Sequence, residues 1–187
     1  MSHRHFLIHK PYGYLSQFVG EAKKKKLGEF HDFPAGTMAI GRLDEDSEGL
    51  LLLTTDGRMS ELVRSKKVEK EYYAQVDGLI TNEAIAALQG GVEIGIHDVR
   101  YRTSPCIAAR LDPAPPFAPR SRKIRDDRHG PTSWVSITLT EGKFRQVRKM
   151  TAAVGFPTLR LVRVRVAEIW LDELPVGGVR EVAGFGV

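Results

Sequence analysis

Apolar positions along this chain fall into short runs and alternations rather than long helical stripes. Phe6 to Ile8 form a brief apolar run followed by Lys10-Pro11-Tyr12-Gly13. Proline followed closely by glycine is turn chemistry, so this opening predicts strand, turn, strand. "TMAIGRLD" predicts a strand running into an acidic loop, and "GLLLLTTDG" a short strand apolar enough to be buried on both faces. Asp56 stands where a cap belongs, ahead of "GRMSELVRS", whose Met59, Leu62 and Val63 share a helical face. "EKEYYAQVDG" alternates and is rich in β-formers, which predicts a strand ending at Asp77-Gly78. Thr81 caps "NEAIAALQ", and Gly90 and Gly91 stop it. "GVEIGIHDVRYRTSPCIAARLD" predicts two or three strands, and "SWVSITLTEG" another.

Further on, "KFRQVRKMTAAVG" predicts a helix ended by Gly155, with Phe144, Val147, Thr151 and Val154 on one face. Arg145 and Lys149 point away from that face and Arg148 lies at its border. "FPTLRLVRVRVAEIWL" alternates arginine with aliphatics, as a half-buried strand should, and "LPVGGVREV" predicts a turn and a last short strand. Strands outnumber helices, and neither a regular βαβ alternation nor an internal repeat is present. The expected fold class is α+β, with a mixed, largely antiparallel central sheet flanked by helices.

Two stretches carry charge instead of pattern. Lys23 to Lys26 read as a solvated connection, the usual fate of such runs. Residues 113–131 hold five prolines among many Lys and Arg, which excludes an ordinary helix or central strand. This is a long basic loop, and such loops are either functional or disordered connections.

Composition narrows the class. At 187 residues, 42% apolar and 27% charged, the chain suits one generous domain, or one built from two lobes that share a core. A net charge of +5 permits a polyanionic partner without demanding one. Cys106 is the only cysteine, so an internal disulfide and a thiolate metal cluster are both excluded. The apolar run near the N-terminus is too short for a signal peptide, and no segment approaches the ~20 apolar residues of a membrane helix. A soluble, cytoplasmic protein is expected.

Against that basic background, "GRLDEDSEGLLLLTTDG" sets an acidic loop beside a buried strand. Asp44, Asp46, Glu48 and Gly49 match the first half of a calcium loop, but Thr55 stands where the bidentate glutamate belongs. Asp44 and Asp46, two apart, allow paired-carboxylate chemistry, although no second acidic cluster with sugar platforms follows. A single carboxylate acting as nucleophile or base is the third option. At the lip of an apolar wall it needs a cation to stay ionised. Acids that merely solvate a turn are the ordinary alternative, and a matching cation decides between them. Arg148, at the border of its helix, can bury its stem and present its fork to such a carboxylate, while Arg145 and Lys149 suit phosphates.

Taken together, these pieces resemble the pseudouridine synthases of the ribosomal small-subunit/large-subunit family, most closely its large-subunit enzymes. "HKPYGYLSQF" is similar to the family's opening lysine-proline motif, and "GRLDEDSEGLLLLTTDG" to its catalytic-aspartate motif. "EKEYYAQV" resembles the lysine-any-tyrosine motif, and "EGKFRQVRKMTAAVGFPTLRLVR" the arginine motif. All four occur in family order and span nearly the whole chain. The resemblance implies the pseudouridine synthase catalytic fold in two lobes and isomerisation of a uridine in 23S ribosomal RNA. It implies no metal and no organic cofactor.

The resemblance also assigns roles. Asp44 is the essential carboxylate, attacking C1′ or deprotonating C2′, and Arg148 is its cation. Tyr72 stacks on the target base and is a candidate for the proton transfer at C5. Lys70 belongs to the same motif, and Arg42 would help hold the opened RNA. Relatives often carry a small basic RNA-binding domain ahead of the catalytic core. Here the first motif begins at Lys10, so residues 1–187 are expected to be a single catalytic domain without one. RNA grip then falls to the core and to Arg120, Arg122, Lys123 and Arg125 of the basic loop. A monomer suits docking on a large RNA. Phe144 departs from the family, which often has a polar residue there. The competing readings are a non-catalytic ribosomal-RNA-binding assembly factor of the same fold and a metal-dependent hydrolase using the acidic loop.

Overall fold

A computed structural model describes residues 2–65 and 67–187. In chain order its elements are β1 (His5–Lys10), β2 (Met38–Ile40), β3 (Glu48–Thr54), α1 (Gly57–Ser65), β4 (Lys70–Asp77), α2 (Asn82–Gly90) and β5 (Glu93–Ile96). They continue with β6 (Val99–Arg102), β7 (Ile107–Leu111), β8 (Thr132–Leu139), α3 (Gln146–Ala153), β9 (Thr158–Val166), β10 (Ile169–Trp170) and β11 (Val179–Val182). The pairs β1–β11, β1–β3, β2–β3, β4–β8 and β7–β8 are antiparallel and β3–β9 is parallel, so the α+β, largely antiparallel expectation holds. The chain divides into two compact units, residues 1–68 with 162–187, and residues 69–161.

In the first unit β3 lies between β1 and the second half of β9. Every residue of β3 is buried, as its run of four leucines requires. Leu50 to Leu53 each withdraw a side chain from water, worth about 1.5–3 kcal/mol apiece before entropy is counted. Gly49 lets β9 approach. Its φ is +110°, and a Cβ built there would lie 2.2 Å from the carbonyl oxygen of Arg163. Only glycine tolerates both conditions.

In the second unit β4, β8 and β7 form an antiparallel sheet, with α2 and α3 against a core that includes Val76, Leu88, Val135, Ile137 and Met150. The Thr81 hydroxyl accepts from Ala84 N at 3.2 Å and caps α2, as its sequence position predicts. β5 and β6 make a separate two-stranded hairpin.

Three readings change. No second strand follows Pro11–Gly13; the segment makes only an isolated bridge between Tyr14 and Lys25, because its backbone groups bond other loops. The arginine helix begins at Gln146, with Arg145 in the left-handed region at φ +52°, so Phe144 lies outside it and is 56% exposed. β9 is not half-buried: Arg160 and Arg163 are enclosed along with the aliphatics around them. Arg163 Nε donates to Leu50 O at 2.8 Å. The strand also stops at Val166 and turns back through β10 as a short hairpin.

Candidate functional site

The acidic loop belongs to the first unit and is held from both sides of Asp44. Ser16 Oγ donates to Leu43 O at 2.7 Å and accepts from Leu43 N at 3.0 Å, pinning the residue before it. On the other side Glu45 O accepts from Gly13 N at 2.8 Å, and the Glu45 carboxylate pairs with Lys24 at 2.7 Å. Asp44 O accepts from Ser47 N at 3.0 Å, which closes the loop as a tight turn. Asp44 itself is half-buried, and Arg42 is exposed. A carboxylate so placed can reach a bound molecule without freedom to wander, which is what a reacting group needs.

Lys10 is the member of this site to which the sequence reading gave no role. Its side chain is fully buried, and Nζ donates to Pro11 O at 2.9 Å and Tyr14 O at 2.8 Å, with Glu45 O at 3.4 Å. Burial pushes its pKa down to about 8, while Glu48, Asp46, Asp44 and Glu45 pull it back up. Those four acids are the loop. Lys10 is thus a buried cation whose field falls on the acidic loop and whose donors stitch the first turn to it. Lys24 also leaves the solvated run expected of it, since its ammonium holds Glu45.

The remaining candidates lie in the second unit. Lys70 and Tyr72 stand on β4, with Tyr72 packed against the core beneath it. Arg148 and Lys149 project from α3, and Arg145 is the residue immediately before it. Lys149 does not simply face outwards: Nζ donates to Gly95 O at 2.6 Å and lies 5.2 Å from the Phe144 ring centroid.

The segment entering α3 is fixed by Glu141. Its carboxylate accepts from Tyr101 Oη, from Ser104 N at 2.8 Å and from Gln146 Nε2 at 2.7 Å. Burial pushes the Glu141 carboxyl up, but those hydrogen bonds and nearby Lys143 outweigh it and hold it below its ordinary value.

The basic loop is tied down by some of the arginines expected to grip RNA. Arg125 pairs with Asp77 at 2.8 Å and donates to Pro131 O at 2.9 Å. Arg120 donates to Arg122 O at 2.8 Å and Leu159 O at 3.1 Å. Their guanidinium groups fasten the loop to the sheet, leaving Arg122 and Lys123 as the exposed cations of the four. The loop bounds a cavity of about 550 Å³ with Gln75, Thr132 and Arg160.

A chain with these strands, this braced acidic loop and this arginine helix can be compared with known proteins. The family model described as RNA pseudouridylate synthase matches residues 4–153, so the chain belongs to that family of isomerases. Relatives narrow the likeness to the ribosomal-subunit members. The chain is 44% identical to the ribosomal large subunit pseudouridine synthase E of Xanthomonas axonopodis pv. citri, over 90% of this chain and 88% of that one. It is 40% identical to the protein of the same name from Vibrio parahaemolyticus, over 94% of this chain and 72% of that one. Among solved structures, one described as a crystal structure of pseudouridylate synthase superposes with a TM-score of 0.78 at 26% identity, covering 97% of this chain and 71% of that one. The resemblance read from the four motifs is borne out.

Proposed function

We propose that the chain isomerises one uridine of large-subunit (23S) ribosomal RNA to pseudouridine, with Asp44 as the essential carboxylate. The bond between C1′ and N1 breaks, the uracil turns over, and C5 bonds to C1′ before losing its proton. Asp44 either attacks C1′ or removes the proton at C2′. Arg148 keeps that carboxylate ionised through a charge-assisted pair, Tyr72 stacks on the uracil, and Arg42, Lys70, Arg145 and Lys149 hold the opened RNA. A paired base is out of reach, so the uridine is flipped out at a cost of about a few kcal/mol, offset by stacking and phosphate contacts. The reaction needs no metal or organic cofactor. Residues 1–187 act as one catalytic domain, and the enzyme works as a cytoplasmic monomer.

The observation that best supports this reading is the bracing of Asp44, pinned through Leu43 on one side and Glu45 on the other. A loop whose acids only met water would not require it. Asp44→Asn should abolish pseudouridine formation in protein-free large-subunit RNA, with a rate loss of at least roughly a thousandfold, while RNA binding changes little. Modification at the wild-type rate by that variant would reject the assignment and favour a non-catalytic RNA-binding role.

A further inference from the structure

Phe144 is 56% exposed at the entrance to α3, and a lone exposed phenylalanine would need no explanation. Its surroundings do. The His97 ring stacks on it with centroids 5.9 Å apart and planes 20° from parallel. Lys149 Nζ lies 5.2 Å from the Phe144 centroid, held there by its bond to Gly95 O. Lys143 Nζ lies 4.9 Å from the Tyr101 ring.

The backbone on both sides of the pair is constrained. Ile96 pairs with Val99, leaving His97 and Asp98 as a two-residue turn with φ of +46° and +64°. Such a turn is easiest for Asn-Gly, so a histidine there is held in a costly conformation. On the other side Glu141 and Gln146 fix the segment that carries Phe144: Gln146 Oε1 accepts from Lys143 N at 2.9 Å, and Gln146 Nε2 donates to Glu141 at 2.7 Å. The result is a constrained, solvent-facing pair of rings with Lys149 over Phe144 and with Lys143, whose ammonium lies over Tyr101, adjacent to Phe144 in the chain.

Rigid exposed rings among cations are what an unpaired nucleotide recognises. Every base offers a π-face, and its phosphates seek lysine. A stable protein interface is built around a broader buried core than one pair of rings offers, whereas a single base needs no more. We propose that Phe144 and His97 form a stacking site for one unpaired base of the substrate RNA, with Lys143 and Lys149 serving its phosphates. This rests on the reading that the chain acts on ribosomal RNA, and it gives Phe144, where the family often has a polar residue, a positioning role.

A short single-stranded oligouridylate carrying one 2-aminopurine tests it. Wild-type protein should quench the probe's fluorescence on binding. Phe144→Leu keeps the apolar bulk but has no π-face. It should unfold at the wild-type denaturant midpoint, bind the probe about tenfold more weakly and lose the quenching. Phe144→Tyr should restore both affinity and quenching, and His97→Ala should lose part of each. Undiminished affinity and quenching in Phe144→Leu would overturn the proposal and leave the rings as a surface for something other than RNA. Isomerisation of large-subunit RNA, assayed separately on the wild type, distinguishes this failure from failure of the underlying function. A wild type that converts uridine while Phe144→Leu stacks normally rejects only the platform.

Discussion

Lys10 illustrates how one residue ties the site to the fold. A lysine with no exposed surface is costly unless its charge is compensated, and three backbone oxygens and the acids of the 44–48 loop provide that compensation. The compensation is incomplete, since burial still lowers its pKa from 10.5 to about 8. The folded chain therefore releases this proton near pH 8, whereas the unfolded chain holds it to about 10.5. Between those values the unfolded state binds more protons, so this lysine makes stability rise with pH across that window. Lys10→Met should remove that component and, by leaving the carbonyls of Pro11 and Tyr14 without their donor, destabilise the chain by about 1–3 kcal/mol at neutral pH. Urea midpoints of both proteins at pH 7, 9 and 10 measure this, and parallel curves would contradict it.

At the scale of elements, β3 pairs in parallel with β9 through Glu48 with Val162 and Gly49 with Arg163, and that close approach is possible because residue 49 is glycine. Gly49→Ala places a methyl 2.2 Å from Arg163 O and 2.7 Å from Arg163 N, at a φ of +110°. The expected cost is about 3 kcal/mol or more. Gly57→Ala, at the start of α1 with nothing within 4 Å of the new methyl, should instead be neutral or stabilising by up to about 1 kcal/mol. Denaturant unfolding of the two variants checks both, and equal midpoints would refute the close-approach account.

Elements whose signals are local were legible in the sequence. The run of leucines gave β3, alternation gave β4, and the caps at Asp56 and Thr81 gave α1 and α2. Those set by distant partners were not. The segment after Pro11 fails to become a strand because Gly13 N bonds Glu45 O and Leu15 N bonds Lys25 O. The start of α3 was read too early because Glu141, reached by Tyr101 and Ser104 from another strand and its end, fixes the chain before Arg145. At the site, the resemblance of its motif to the family's is what proposes Asp44, since the residues alone left several chemistries open for the acidic loop. The enclosure of Lys10 and the internal use of Arg120 and Arg125 depend on contacts across long sequence separations, which no local pattern announces.

For the molecule as a whole, an excess of positive charge coexists with one concentrated acidic loop. A polyanionic substrate is drawn by the surplus, and the acids of the braced turn are offset locally by the buried Lys10 and by Lys24. Part of the basic loop contributes to this only indirectly, because Arg120 and Arg125 hold the loop in shape while Arg122 and Lys123 remain exposed. On the proposed function, this arrangement converts one uridine of large-subunit ribosomal RNA through Asp44. Chemical mapping of pseudouridine in ribosomal RNA from cells lacking this chain, resupplied with wild type or with Asp44→Asn, tests it most directly. One large-subunit pseudouridine should disappear without the chain, return with the wild type and stay absent with Asp44→Asn. An unchanged map in the deficient cells, or restoration by Asp44→Asn, would contradict it.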